Sequence, residues 1–216
     1  MKSTLLVSFF GGPGCGKSIM AADVFSKLKW NGYSAELALE YAKTRVYEHA
    51  LNTLNNQVYI FGKQHHITNR LLGQVEFIVT DSPFLLSCIY DRNNDVNLQN
   101  LVVTEYKKIN TYNFFLMRDS SKFEAEGRLQ NLEESISIDN HIIGVLNKYH
   151  IPFETIQSCP ENANVIVEKI LKKVYDPQAR HSSITGAFGG ATFAFAASLE
   201  LSTVNLMAST AGRDRR

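Results

Sequence analysis

Residues Leu5-Leu6-Val7-Ser8-Phe9-Phe10-Gly11-Gly12-Pro13-Gly14-Cys15-Gly16-Lys17-Ser18-Ile19 decide the fold. A nearly unbroken apolar run reads as a strand buried on both faces, and the glycines that follow read as a tight loop. The spacing G-x-x-x-x-G-K-S is complete from Gly11 to Ser18. Such glycines let the backbone wrap inward, so that its N–H groups and the next helix N-terminus face a phosphate anion. Lys17 is expected to neutralise the β and γ phosphates of ATP, and the Ser18 hydroxyl to bind Mg²⁺. A chance Lys-Ser after a glycine-rich turn is the bland alternative. The position between strand and helix argues against it. The expected nucleotide-binding residues are Gly11, Gly12, Pro13, Gly14, Cys15, Gly16, Lys17, Ser18 and Ile19. Cys15 is read as a small residue that fits the loop rather than as a redox control.

Outward from the loop, short apolar runs at 4–10, 34–39, 77–80, 113–117 and 153–156 alternate with amphipathic stretches at 17–30, 41–54, 58–72, 98–109, 133–149 and 162–174. This alternation predicts an α/β fold with right-handed crossovers and a parallel sheet covered by helices. Ligands in such sheets bind at the carboxyl ends of the strands, so the residues at strand exits carry the functional signal.

The third strand ends in Asp81, placed to hold Mg²⁺; the alternative is an aspartate capping the next helix. Ser82-Pro83 follows it where an ATPase that powers motion often has a glutamate, which favours transfer to a bound acceptor over hydrolysis. The second strand exits into Glu40-Tyr41-Ala42-Lys43. A carboxylate there could accept a proton from an acceptor hydroxyl or orient it, or could simply favour a helix dipole. Glu40 points to a hydroxyl acceptor, whereas Arg45 and Arg70 keep a phosphate acceptor open. Gln57, Tyr59 and Gln64 are candidates to line the acceptor pocket. Arg118 ends the fourth strand, and Arg128 follows in a glycine-containing segment. Together they read either as a lid that brings guanidinium groups to the transferring phosphoryl or as a solvated loop.

The run Glu40-Tyr41-Ala42-Lys43, the strand end Asp81-Ser82-Pro83, and Gly127-Arg128-x-Gln130-x-x-Glu133-Glu134-x-x-x-x-Asp139 resemble small NadR-type P-loop proteins. That family includes ribosylnicotinamide kinase domains and phage-encoded relatives described as ATPases. The resemblance spans about residues 5–171. It implies a P-loop NTPase of the NMP-kinase-like, three-layer α/β/α type with sheet order 2-3-1-4-5. It also implies phosphoryl transfer from ATP to a nucleoside-like hydroxyl, with Lys17, Glu40, Asp81, Arg118 and Arg128 as the catalytic set and Ser18 and Asp81 on the metal. Lys43 stands where relatives often carry arginine, and it lacks the planar two-pronged grip of a guanidinium. No adenylyltransferase-type domain is expected before the kinase-like part.

Composition narrows the alternatives. The 216 residues carry 22 Lys+Arg against 21 Asp+Glu, a net charge of +1, so direct nucleic-acid binding is not expected. Cys15, Cys88 and Cys159 lack disulfide or zinc spacing and suit a reducing cytoplasm. His65-His66 is a poor metal pair, because adjacent helical residues point about 100° apart. Trp30 reads as core or rim. The folded domain is expected over residues 1–175, and residues 176–216 change to a Gly, Ala, Ser and Phe composition. The second part is either unstructured, foreign sequence from an altered reading frame included, or an arm that docks on a protein partner or another copy. Its uncharged stretch 182–199 is diluted by Gly, Ser and Thr, so no membrane span is expected. The rival to a small-molecule kinase is a regulatory ATPase that switches a protein assembly.

Overall fold

The computed structural model describes residues 3–118 and 132–175. The strands β1 (Leu5–Phe10), β2 (Ala35–Ala38), β3 (Phe77–Thr80), β4 (Thr111–Met117) and β5 (Glu154–Gln157) all pair in parallel, in the order β2-β3-β1-β4-β5. The expected α/β class and sheet order are therefore observed. The helices are α1 (Lys17–Trp30), α2 (Tyr41–Tyr47), α3 (Leu51–Leu54), α4 (Gln57–Asn69), α5 (Ser87–Tyr90), α6 (Val96–Lys107), α7 (Leu132–Lys148) and α8 (Pro160–Tyr175).

β1 is central, and each of its six residues is buried. Its side chains alternate between two cores. Leu5, Val7 and Phe9 pack with Met20, Val24 and Leu28 of α1 and with Ile166 and Ile170 of α8. Leu6 and Phe10 pack on the other side with Phe61 of α4, Val102 of α6, and Ile142 and Leu146 of α7. Fully burying one such side chain is worth about 1.5–3 kcal/mol, so two apolar faces on one strand fix it as the middle of a three-layer stack. The polar residue Ser8 is tolerated there because the Tyr106 hydroxyl hydrogen-bonds it at 2.9 Å, and the same hydroxyl reaches Asn113 Oδ1 at 2.7 Å.

Several local expectations need correction. The stretch 41–54 is two helices rather than one, because His49 takes a left-handed φ of 55° that ends α2. Between β3 and α6 the chain forms a 3₁₀ turn (Phe84–Leu86) and α5, neither expected from the sequence. β4 starts two residues earlier than the apolar run, at Thr111. Trp30 is 89% exposed rather than core or rim. Among the described residues, no helix is long and apolar enough to cross a membrane. Arg128 and residues 176–216 lie outside the described residues.

Parallel strands put every exit on one edge. Gly11 after β1, Glu40 near the end of β2, Asp81 after β3 and Arg118 after β4 therefore share a single rim.

Candidate functional site

The phosphate loop runs from β1 into α1. Gly16 is the α1 N-cap at φ 87°, a left-handed conformation that a side chain would strain, and it makes no side-chain cap. The first turn of α1 also contains no acidic residue, so the helix N-terminus stays electropositive and open to an anion. Lys17 Nζ donates to the carbonyls of Gly11 at 2.6 Å and Gly12 at 2.9 Å, which stretches the side chain back over the loop. Cys15 is buried and packs in the core beneath the loop, as its size suggested. Ile19 is 79% exposed on the first turn of α1.

Beside Lys17, the Ser18 hydroxyl donates to Asp81 Oδ2 at 2.6 Å. Asp81 is only 3% exposed, and its Oδ1 has no hydrogen-bond partner among the described residues. An unpaired buried carboxylate oxygen is costly unless a cation or donor meets it. It does not cap a helix: the next helical turn is preceded by Pro83 and has no side-chain cap. One hydroxyl and one carboxylate, completed by phosphate and water, are the donors Mg²⁺ ordinarily takes, so these residues fit that ion. The described residues contain no cluster of three or more His, Cys, Asp or Glu suited to a metal. The strand exit is itself fixed, since Thr80 Oγ1 donates to the Ala38 carbonyl and accepts from the Ser82 amide.

Glu40 stands at the N-cap of α2 but makes no capping hydrogen bond. Its carboxylate is instead desolvated on the rim, within electrostatic reach of Lys17, Asp81 and Lys43. Burial raises its pKa above the ordinary carboxylate value, Lys17 opposes that rise, and Asp81 adds to it. The buried Gln64 brackets this residue from α4. Its Oε1 accepts from the Tyr41 amide at 2.9 Å and its Nε2 donates to the Leu39 carbonyl at 3.1 Å, so the backbone on both sides of Glu40 is held. Gln64 is thus a positioning residue rather than a free lining group.

The raised value has a consequence for stability. The folded chain binds this proton more tightly than the unfolded chain does, so the contribution is complete below the unfolded pKa and is lost as pH rises through the folded one. Glu40→Gln is therefore expected to raise the melting temperature at pH 7, with the gain disappearing below about pH 4.5, the ordinary value. Paired thermal melts across that range check the sign.

The two arginines that suggested a phosphate acceptor are not brought to the rim as free groups. Arg45 pairs with Glu48 at 2.5 Å and lies over the Tyr41 ring. Arg70 caps the far end of α4, where the following residues bond to the start of β1 through Thr4, at the opposite edge of the sheet. Tyr59 meets Tyr41 hydroxyl to hydroxyl at 2.8 Å. A cavity of about 380 Å³ opens between the α3–α4 junction and the loop after α5. Asn52, Asn55, Gln57, Asp91 and Asn93 are among its lining residues, and among the described residues no Lys or Arg lines it. Tyr90, next to Asp91, has its phenol pKa raised by burial, with Glu40 adding to the rise.

Arg118 is engaged within the fold. Its Nε and Nη2 donate to Asp139 Oδ2 at 2.8 and 2.6 Å, its Nη1 to the Pro13 carbonyl at 3.0 Å, and Nη2 also to the Ser135 carbonyl at 3.2 Å. Asp139 Oδ1 accepts from the Gly12 amide at 2.5 Å. Sequence reading had given neither Asp139 nor Ser135 a place at the loop. The Asp139 position within the acidic run was the one available signal, and nothing in local spacing tied it to Gly12.

A family model described as an AAA domain matches residues 6–162. Among solved structures, the fold is similar to a thymidylate kinase from Ehrlichia chaffeensis, at 14% identity and TM-score 0.51, covering 78% of this chain and 99% of that one. A deoxyadenosine kinase from M. mycoides with bound dATP is 21% identical with TM-score 0.49, covering 78% of this chain and 98% of that one. A search of curated protein sequences finds no match.

Proposed function

The chain belongs to the AAA domain family, whose model covers most of its length, and on that premise we propose that it transfers a phosphoryl group from ATP to a hydroxyl of a nucleoside-like small molecule. The observation that carries the reading is Glu40: a desolvated carboxylate within electrostatic reach of Lys17 and Asp81, held on both sides by Gln64 and free of any capping task. A general base must lie beside both the metal-side acid and the phosphate lysine to meet an acceptor hydroxyl in line.

In this reading Lys17 leaves the loop carbonyls and turns its charge onto the β and γ phosphates. Ser18 and Asp81 would hold Mg²⁺, which would supply neutralisation of the triphosphate when bound. Glu40 orients the acceptor hydroxyl and takes its proton as the new P–O bond forms to the γ-phosphorus and the γ-phosphorus bond to the bridging oxygen breaks, releasing ADP. The exposed Ile19 offers an apolar surface for the nucleotide above the loop. Arg128, outside the described residues, would add positive charge at the transferring group. A monophosphate acceptor would call for free cations. Among the described residues, Arg45 is paired with Glu48, Arg70 is at the opposite edge and the cavity lining has no Lys or Arg, which favours an uncharged acceptor, while Lys43 near Glu40 is the rim cation that a charged one would call on.

A panel of nucleosides and nucleoside monophosphates, each assayed for ADP release with Mg²⁺ and ATP, tests the reading. Release is expected to rise at least about tenfold with one or more nucleosides and to stay at background with the monophosphates. Stimulation by monophosphates alone would reverse the acceptor class. Slow turnover that no acceptor changes and that a protein partner accelerates would instead favour the regulatory ATPase.

A further inference from the structure

The first half of the phosphate loop is held from outside the loop. Gly12 donates its amide to Asp139 Oδ1, Gly12 accepts Lys17 at its carbonyl, and Pro13 accepts Arg118 at its own. Asp139 comes from the middle of α7, more than a hundred residues from Gly12 in the chain. The pair is enclosed: the Arg118 side chain is 7% exposed and that of Asp139 is 14% exposed. The approach is also tight. A Cβ on Gly12 would meet the Ser135 carbonyl at 2.5 Å, Arg118 Nη2 at 2.8 Å and Asp139 Oδ1 at 3.0 Å.

Lys17 cannot hold the Gly12 carbonyl and a phosphate with the same geometry. Once it turns to a polyphosphate, the side-chain bonds that the described residues still make to the Gly12–Pro13 segment are those from Asp139 and Arg118. We infer that Arg118, after β4, and Asp139, from α7, form a charge-paired strap that positions the phosphate loop, with Arg118 acting through Asp139 and Pro13 and not on the transferred phosphoryl group. The inference rests on the reading of this loop as a polyphosphate seat. Asp139 alone would put a carboxylate beside an anionic ligand, and Arg118 removes that penalty by neutralising it while bonding Pro13. The strap is therefore a positioning device whose two charges matter as a pair.

The test is binding of Mg²⁺-pyrophosphate and Mg²⁺-ATP by calorimetry, well below each variant's melting temperature. Arg118→Ala leaves the Asp139 carboxylate unneutralised, and affinity for both probes is expected to fall at least about tenfold. Removing Asp139 as well takes away the repulsive charge but also the second bond to the loop, so the double variant Arg118→Ala/Asp139→Ala is expected to bind at least about threefold more tightly than Arg118→Ala and still at least about threefold more weakly than wild type. A double variant no tighter than Arg118→Ala would deny that the two charges act as a pair, one equal to wild type would deny that their bonds position the loop, and either would overturn the strap. Unchanged affinity in Arg118→Ala would overturn it as well.

Gly12→Ala decides the matter if Arg118→Ala does not fold. It keeps both charges and drives a methyl group into the strap, so at least about a tenfold loss is expected, and wild-type affinity there would contradict the inference. A wild-type chain that binds neither probe would overturn the polyphosphate seat itself, a result distinct from a seat that binds but ignores the strap.

Discussion

Glu40→Gln is expected to lower phosphoryl transfer by about 10²–10⁴-fold, the usual contribution of a positioned general base. Glutamine keeps the size of the side chain and the bracket that Gln64 places around it, since that bracket uses the Leu39 and Tyr41 backbone. What disappears is the ability to accept a proton. ATP affinity should not fall with the rate, because the substitution removes a negative charge beside Lys17, and an anionic ligand binds equally well or better there. The measurement is a pair: kcat under saturating ATP and acceptor, and ATP affinity by calorimetry. A matching loss of affinity would make Glu40 a structural support for the loop. An unchanged kcat would remove it from the chemistry. The pH profile adds a direction: burial holds the carboxyl above its ordinary range, so the acidic limb of the wild-type rate should lie above the ordinary glutamate value and be absent from Glu40→Gln.

Asp81→Asn is expected to raise the Mg²⁺ concentration for half-maximal activity by about 10–100-fold, as losses around metal sites ordinarily do. The amide can still accept from the Ser18 hydroxyl, so the local fold should survive. It cannot present a charged oxygen at the position where Oδ1 now has no partner. Titrating Mg²⁺ at fixed ATP separates this from a general loss, because high Mg²⁺ should recover much of the rate. No recovery, together with weakened ATP binding, would place Asp81 in the framework of the loop instead.

The molecule shows which features a chain announces locally. The glycine-rich turn and its Lys-Ser are contiguous, and the nearly unbroken apolar run before them reads as a strand covered on both faces. Those two facts lead to the central β1 and to the rim on which Glu40, Asp81 and Arg118 stand. Glu40 was readable as a carboxylate at a strand exit, but its choice between capping α2 and facing Lys17 was not. That choice depends on burial and on Gln64, 24 residues later in the chain. The end of α2 at His49 hangs on one backbone angle that helical periodicity does not report. Arg70 has the charge an acceptor phosphate would want, yet the length of α4 carries it to the opposite edge. The bond from Asp139 to Gly12 joins segments more than a hundred residues apart, and only the packed α7 creates it.

Phosphorus NMR of the reaction products tests the central claim most directly. With Mg²⁺, ATP and the nucleoside found active in the panel, the account predicts a new phosphomonoester signal that grows in step with ADP, with little inorganic phosphate. Inorganic phosphate growing in step with ADP, and no ester signal at any nucleoside concentration, would contradict it.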